Sequence, residues 1–426
     1  MILKKINLNN LLIPLGYLIA IPSIIIIRLI SPIFLVRWYC TFSTRVGHYA
    51  ENIQLYIAMK EQKKLFQSNK KFFDIFYDRK HICNKQLQKM WLKNKNLFFL
   101  PYWIMEPINN INEFILDKII DSKNVHYIGY YYDPKKIIEH KVVPIESVDT
   151  YNCVDKGGYC LSFTEEEIKY GDDKIAKMGI NKDDKYIILV LRDSNYLKTQ
   201  YPNINWEQHS KRDTKIDYYY ETIKFLDEKN YKVILIGSGA SQINQFKKKN
   251  IINYEISEFK SEFLDIFIFS KDNCKFVISS ITGIDSFGPM FKKNVLEIGI
   301  VPFSYARTYS KYYSYIFKKY YSKSLDRYLT MKEIFELGLA ESLGNELDHE
   351  LEFIHPNSQE ILDSTKELLG KIEKNFYSNK EAKKLQIEFS KKYKLYIDKY
   401  LPKRTTEKIP GMVTEKYILQ NKYLLN

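Results

Sequence analysis

Three stretches place reactive residue types where a fold would leave them accessible. Arg192-Asp193-Ser194 directly follow the uncharged run Tyr186 to Leu191. A short continuous apolar run suits a strand buried on both faces of a parallel sheet. The three polar residues would then stand at its carboxyl end, outside which open α/β sheets place their ligands. The polar segment that follows carries Tyr196, Tyr201, Trp206, His209 and Arg212. A loop this long is usually functional or disordered, and its aromatic residues argue against disorder. The second stretch, Ser279-Ser280-Ile281-Thr282-Gly283 to Ser286, puts hydroxyls and a glycine where a strand turns into a helix. Free backbone N–H groups at such a turn favour phosphate. It is neither a GxxxxGK[ST] nor a GxGxxG motif, and tight turns of this kind are often only structural. The third is Arg45-Val46-Gly47-His48. Gly47, without a Cβ, permits close ligand approach. His48 at a helix start is a base, an anion contact, or a capping and packing residue.

The elements around these stretches read as alternating strands and helices. In the first half, strands are predicted at Ile33 to Tyr39, Phe72 to Tyr77 and Leu97 to Leu100, with helices at Lys85 to Leu92 and Ile111 to Ile120. In the second half, strands are predicted at Tyr186 to Leu191, Lys232 to Ile236, Ile251 to Ile256, Lys275 to Ser279 and Val295 to Ile300. Ile216, Tyr219, Ile223 and Leu226 mark a helical face, with Thr214 and Asp217 as its expected capping box. Gly237-Ser-Gly239 closes the Lys232 strand. Tyr305 to Tyr321, thick with Tyr, Lys and Arg, reads as a solvated face or a binding segment. The helices Ser358 to Phe376 and Glu381 to Tyr400 are expected on the outside, and the basic tail after Pro402 loosely ordered. Alternation of this kind predicts an α/β fold with helices on both faces of parallel sheets.

With 426 residues and 45% hydrophobic content, the chain can build two cores. A net charge of +14 suits nucleic acid, an anionic membrane surface or phosphorylated small molecules. No zinc-finger spacing, basic heptad region or RNA-binding signature appears, so no nucleic-acid partner is expected. The five cysteines are scattered, without CxxC spacing, and read as free thiols in a reducing compartment.

Leu11 to Ile27 is apolar and uncharged, preceded by Lys4 and Lys5 and followed by Arg28. No small-residue cleavage motif follows it. Its length is at the lower limit for a spanning helix, and Pro14, Pro22 and Pro32 are expected to kink it. A membrane-dipping or interfacial anchor is therefore predicted in residues 1–32. The expected layout continues with an amino-terminal domain over 33–164, a second domain over 165–376, and a carboxyl-terminal helix and basic tail over 377–426.

Taken together, Arg45-Val-Gly-His48, Leu191-Arg-Asp-Ser-Asn-Tyr196, His209-Ser-Lys-Arg212, Ser279-Ser-Ile-Thr-Gly283 and Arg327-Tyr-Leu-Thr-Met-Lys-Glu-Ile334 resemble a family of bacterial surface-polysaccharide and lipopolysaccharide glycosyltransferases. The resemblance runs over roughly Thr41 to Leu337. Asp213, where the family would favour Asn, and Tyr49 depart from its pattern. It implies a GT-B-like architecture, two Rossmann-like domains facing each other across a cleft. It also implies a nucleotide-sugar donor, and the predicted amino-terminal anchor with its basic flanks adds the expectation of a membrane-linked glycan acceptor and a place on the cytoplasmic face of the bacterial inner membrane. The family leaves donor sugar and acceptor open.

On that resemblance, Arg192, Arg212, Gly237, Ser280, Thr282 and Gly283 are the expected donor-binding residues. Arginine can hold phosphate bidentately, which lysine cannot. Arg45 and Gly47 form the acceptor-side loop. An inverting transfer needs a base for the acceptor hydroxyl, with His48 the first candidate and Asp193 the second; a retaining mechanism requires neither. No DxD motif is present, and no metal or other cofactor is expected. Two other functions fit the same residues: transfer of a non-sugar group onto a glycan, and a catalytically silent membrane-bound glycan-binding scaffold.

Overall fold

The run after Pro32 forms β1 (Phe34–Thr41), parallel to β2 (Lys71–Asp78) with Phe34 opposite Lys71. A single bridge, Phe76 to Phe99, is all that stands at the predicted Leu97 strand. Period-two alternation sends Trp38, Ile75 and Tyr77 to one face, where they pack against helices α1 (Leu8–Ile30) and α4 (Tyr102–Lys118). The other face carries Tyr39 and Phe76, with Tyr56 of α2 (Val46–Glu61) edge-on to Phe76. Helix α3 (Lys85–Leu92) follows, its Asn84 cap accepting from Leu87 N at 2.8 Å. A two-residue hairpin, β3 (Tyr132–Asp133) with β4 (Lys136–Ile137), comes later in the chain. The computed structural model describes residues 8–64, 71–118, 126, 132–133, 136–137, 148–158, 160–194, 207–240, 249–342 and 350–426. Tyr196, Tyr201 and Trp206 of the long polar segment fall outside these.

The chain divides into two compact units, residues 1–147 with 156–162, and 148–155 with 163–426. The amino-terminal helix belongs to the first unit instead of standing apart. It is one helix, Leu8–Ile30, with Pro14 and Pro22 inside it. Both prolines lie on the outer side, so their missing N–H groups do not disturb the packed face.

In the second unit, helix α5 (Glu165–Lys177) opens on a complete Thr164–Glu167 capping box. A seven-stranded sheet follows: β5 (Tyr186–Val190), β6 (Lys232–Ile236), β7 (Ile251–Asn253), β8 (Cys274–Ser279), β9 (Asn294–Ile300), β10 (Tyr313–Phe317) and β14 (Met412–Val413). Its spatial order is β14-β10-β9-β8-β5-β6-β7, and every pairing is parallel. The chain runs outward from β5 to β7, then returns to β8 on the other side of β5. This is the doubly wound order. All residues of β5 and β6 are buried, as continuous apolar runs in a parallel sheet should be. A small antiparallel sheet joins β11 (Lys319–Ser322) to β12 (Arg327–Tyr328) and β13 (Leu351–Ile354).

Two expectations are corrected here. Tyr305 to Tyr321 is not a solvated face: Tyr315, Phe317 and Tyr320 lie in the core. Nor is the tail loose, because β14 extends the sheet and Tyr417 and Ile418 are buried with Phe389 and Tyr393 of the preceding helix. Strand β10 reads Tyr-Ser-Tyr-Ile-Phe between lysine-bearing flanks, and those flanks hide a run of which only Ser314 is not buried.

Arg37 is wholly buried in the first unit. Its Nε and Nη2 each donate to Asp74 at 2.6 Å, and the Tyr56 hydroxyl donates to the same carboxylate at 2.7 Å. Removing one partner of a buried pair leaves the other charge uncompensated. Asp74→Ala is expected to lose about 3–5 kcal/mol in urea unfolding, and Tyr56→Phe about 1 kcal/mol. Equal, small losses would show the pair to be dispensable.

Candidate functional site

Strand order reverses between β5 and β8, so the connections leaving their carboxyl ends diverge and leave a crevice. Leu191 to Ser194 leave β5 here, and Ser280 to Gly283 leave β8. The two loops are tied together: Arg192 N donates to Ser280 Oγ at 2.8 Å, and Ser280 Oγ donates to Val190 O at 3.2 Å. Gly237, at the end of neighbouring β6, has φ +96°, and a Cβ there would stand 2.4 Å from Leu191 O. Its N–H donates to Glu255 at 2.9 Å. Ser280 and the Gly237 N–H are thus spent on holding the loops. Gly283 caps a short turn at φ −72°, an ordinary right-handed value.

The second stretch differs from its expectation in one respect. The Thr282 N–H is taken by Asp285 Oδ2 at 3.0 Å, and the following turns span only Ile284–Ser286 and Phe287–Met290. The Thr282 N–H is therefore not available to an anion, and turns this short build no helix dipole. What stays open is the Thr282 hydroxyl, buried with no hydrogen-bond partner. Ile281 between them has φ +58°, a costly conformation for a β-branched residue. Its carbonyl accepts from Arg212 Nη2 at 3.1 Å.

The crevice is cationic. Arg192 Nε lies 3.5 Å from Asp213 Oδ1, and its Nε and Nη2 are buried without a hydrogen-bond partner. Arg212 Nε is equally unsatisfied, and its guanidinium lies over the Tyr305 ring at 5.5 Å. Burial pulls the Arg192 pKa down. Burial, then the nearby Arg192 charge, brings Arg212 to about 10. Both shifts say the same thing: positive charge is held here with too little negative charge beside it. Asp193, the second base candidate, follows Arg192, and its carbonyl accepts from Ser238 Oγ at 3.1 Å.

Residues that the sequence reading passed over hold this arrangement. Arg307 Nη1 bridges Asp285 at 2.8 Å and Glu297 at 2.9 Å, both carboxylates fully buried. Asp285 also accepts from Ser279 Oγ at 2.5 Å. Lys318 Nζ donates to Lys211 O at 2.7 Å and Asp213 O at 3.0 Å, which fixes the turn carrying Arg212. Burial brings Lys318 down to about 8. Thr214 contacts His355 Nε2 at 2.9 Å, so it does not form the predicted capping box with Asp217; the turn it precedes is capped by Lys215 without a side-chain bond. His355 stacks on Tyr218 at 4.3 Å, and burial lowers it to about 4. Only the strand-end position of Lys318 and Arg307, each just past an apolar run or a proline turn, could have flagged them.

In the first unit, Arg45 and Gly47 lie at the start of α2, right after β1, and Arg45 is exposed. His48 is half-buried in the first turn, its ring 5.5 Å from Phe42, over which Arg79 also lies at 4.9 Å. The expected acceptor-side residues thus stand at a strand-to-helix turn, as the sequence indicated. The neighbouring Tyr49 is fully buried. Among the described residues, no three His, Cys, Asp or Glu side chains converge as a metal site would require, and the five cysteines are free.

No family model and no curated protein matches this chain. Solved structures offer remote likenesses. A glycosyl transferase family 9 protein from Veillonella parvula DSM 2008 shares 10% identity over 79% of this chain and 97% of its own, with a TM-score of 0.46. The E. coli heptosyltransferase WaaC with ADP-2-deoxy-2-fluoro heptose shares 10% over 63% and 89%, at 0.32. The UDP-GlcNAc 2-epimerase from Methanocaldococcus jannaschii shares 12% over 62% and 83%, at 0.29. These TM-scores carry no argument about this chain, whose α/β fold rests on its own strand order.

Burial, with Asp285 adding to it and Arg307 opposing it, pushes Glu297 from 4.5 up to about 7. The folded state then holds a proton that the unfolded chain releases between these values. Stability from this group is present below pH 4.5 and lost as pH rises through 7. Glu297→Gln should remove that slope, a difference of up to about 3 kcal/mol. Thermal unfolding of both proteins across the window checks it; parallel pH profiles would contradict the shift.

Proposed function

We propose that this chain is a glycosyltransferase that moves a sugar from a nucleotide-activated donor to a membrane-linked glycan in bacterial cell-surface polysaccharide synthesis. One observation carries the reading. Arg192, Arg212 and Thr282 leave buried, unsatisfied donor atoms at the crevice where the strand order reverses. Buried polar groups normally have partners, so these atoms fit an anionic ligand, and paired arginines suit a diphosphate. The sequence resemblance supports the sugar-transfer reading of that diphosphate.

In the proposed reaction the bond between the sugar's anomeric carbon and the phosphate oxygen breaks, and the diphosphate leaves with the electron pair. Arg192 and Arg212 offset its growing charge, and the Thr282 hydroxyl donates to it. Fixed donors in a site shielded from water act most strongly where charge develops. The acceptor hydroxyl oxygen bonds the anomeric carbon and gives its proton to a base. His48, in the first unit, is the base in this reading, with Asp193 the substitute. No metal enters the scheme.

Calorimetric titration with ADP and UDP tests the donor site. Arg192→Ala and Arg212→Ala are each expected to weaken binding about tenfold to a hundredfold, the worth of a hydrogen bond to a charged group. Unchanged affinity in the double variant, or no nucleotide binding by the parent, would end the reading and leave the scaffold function standing.

The base assignment needs turnover. His48→Ala is expected to lose roughly 100- to 10,000-fold in rate while keeping diphosphate affinity. A loss within a few-fold would return His48 to packing against Phe42 and move the role to Asp193. Lost diphosphate affinity would instead make His48 a phosphate ligand.

A further inference from the structure

Helix α1 is apolar enough to cross a bilayer: Leu12–Ile30 has a mean hydropathy of 2.2. At 1.5 Å per residue it would reach across most of a hydrocarbon core. Its packing argues for another orientation. Gly16, Ala20 and Ile24 form one buried row at four-residue spacing, facing α4 along the helix. A Cβ on Gly16 would stand 2.0 Å from Trp103 O, so the two backbones touch. Farther along, Arg28 Nη2 donates to Asn112 Oδ1 at 2.7 Å. These contacts run in the same order on both helices, so α1 and α4 lie side by side in parallel.

A perpendicular α1 would therefore drag α4 into the bilayer. That helix carries Glu106, Asn109, Asn112 and Glu113, and Asn109 joins Trp38 Nε1 at 2.9 Å to Glu113 at 3.0 Å. Carboxylates and their partners at bilayer depth are expensive. Meanwhile the opposite side of α1 is bare. Leu18, Ile21, Ile25, Ile26 and Leu29 are exposed, and Ile33 beyond the helix is 83% exposed. Phe114 of α4 is also exposed. Exposed Lys71 pairs in register with Phe34, so a cation stands beside the Ile33 end.

We infer that the outer face of α1 lies in the plane of an anionic membrane surface, with the helix embedded sideways and not spanning. Three features name lipid as the occupant. The bare side chains are almost all aliphatic, whereas protein interfaces favour aromatic residues, Met and Arg. With its other side covered by α4, α1 has only one apolar side left to bury, and the depth of an interfacial helix, about 5–10 Å, is enough for that. The chain's +14 charge and Lys71 complement anionic headgroups. The inference rests on the membrane part of the proposed function and not on its transfer chemistry.

The test uses the full chain in two ways. Purified protein is floated with vesicles of mixed phosphatidylcholine and phosphatidylglycerol, and with phosphatidylcholine alone. Binding is expected to favour the mixed vesicles. Leu18→Glu with Ile25→Glu, both on the bare face, should lower the bound fraction about tenfold or more with unchanged circular dichroism. In inverted cell membranes, a tag ahead of Leu8 and one at the carboxyl terminus should both be cut by added protease. A protected amino-terminal tag beside a cleaved carboxyl-terminal one would mean that α1 spans, and the sideways orientation falls. No flotation of the parent, or a self-association lost in the same variant, would overturn the membrane occupant as well.

Discussion

Buried positive charge without matching negative charge is the constraint around which the second unit is built. Removing a guanidinium from water is costly unless its donors find partners. Arg192 has Asp213 at 3.5 Å, but Arg212 has a carbonyl and a tyrosine ring in place of a carboxylate. Asp285, the acid whose charge acts on Arg212, is itself engaged by Arg307. The core must hold the two arginines in place against this cost. It does so with seven parallel strands and with hydrogen bonds that lock the two loops to each other through Ser280 and to the Arg212 turn through Lys318. The strained Ile281 belongs to the same arrangement, since its left-handed backbone aims a carbonyl at Arg212.

How much of this was legible in the sequence follows from what each element buries. Strands β5, β6, β8 and β9 are predominantly apolar because both their faces are covered, and each was found within a residue or two even though β9 carries Glu297 in its middle. Strand β10 escaped notice because its alternating tyrosines look polar, although Tyr313 and Tyr315 point inward. Strand β14 is two residues long and carries no pattern at all. Arg192 and Thr282 follow strands, a position that sequence shows, whereas Arg212 lies in the long polar segment after β5 and is marked by the family resemblance. Arg307, Lys318 and His355 act through contacts between residues far apart in the chain, which one sequence does not display. Thr214 shows the same limit: its capping signature was correct by spacing, but His355 claims the hydroxyl.

The first unit solves a different problem with similar means. Its sheet is sandwiched by helices, and the Arg37–Asp74 pair sits on the face opposite to α1 and α4. Here the guanidinium has a bidentate carboxylate and the Phe72 ring at 4.0 Å, so its charge is matched inside the core. The contrast between the two units lies in the charge beside the arginine. A buried guanidinium with its own close carboxylate fixes a core, whereas two that share too little opposite charge suit an anion.

The placement of β14 has a consequence for the order in which the protein can be made. A chain emerges from the ribosome amino end first, and domains tend to fold as units as they appear. The first unit takes its helices and its parallel pair from residues up to Lys118 and ends at Ser162, so it can close early. The second unit cannot. Its edge strand β10 stays uncovered until Met412 and Val413 arrive, and the pocket that receives Tyr417 and Ile418 stays empty until then. An open strand edge invites pairing with another chain. Residues 412–418 thus close the second unit, and the nascent protein carries an unfinished sheet until they arrive.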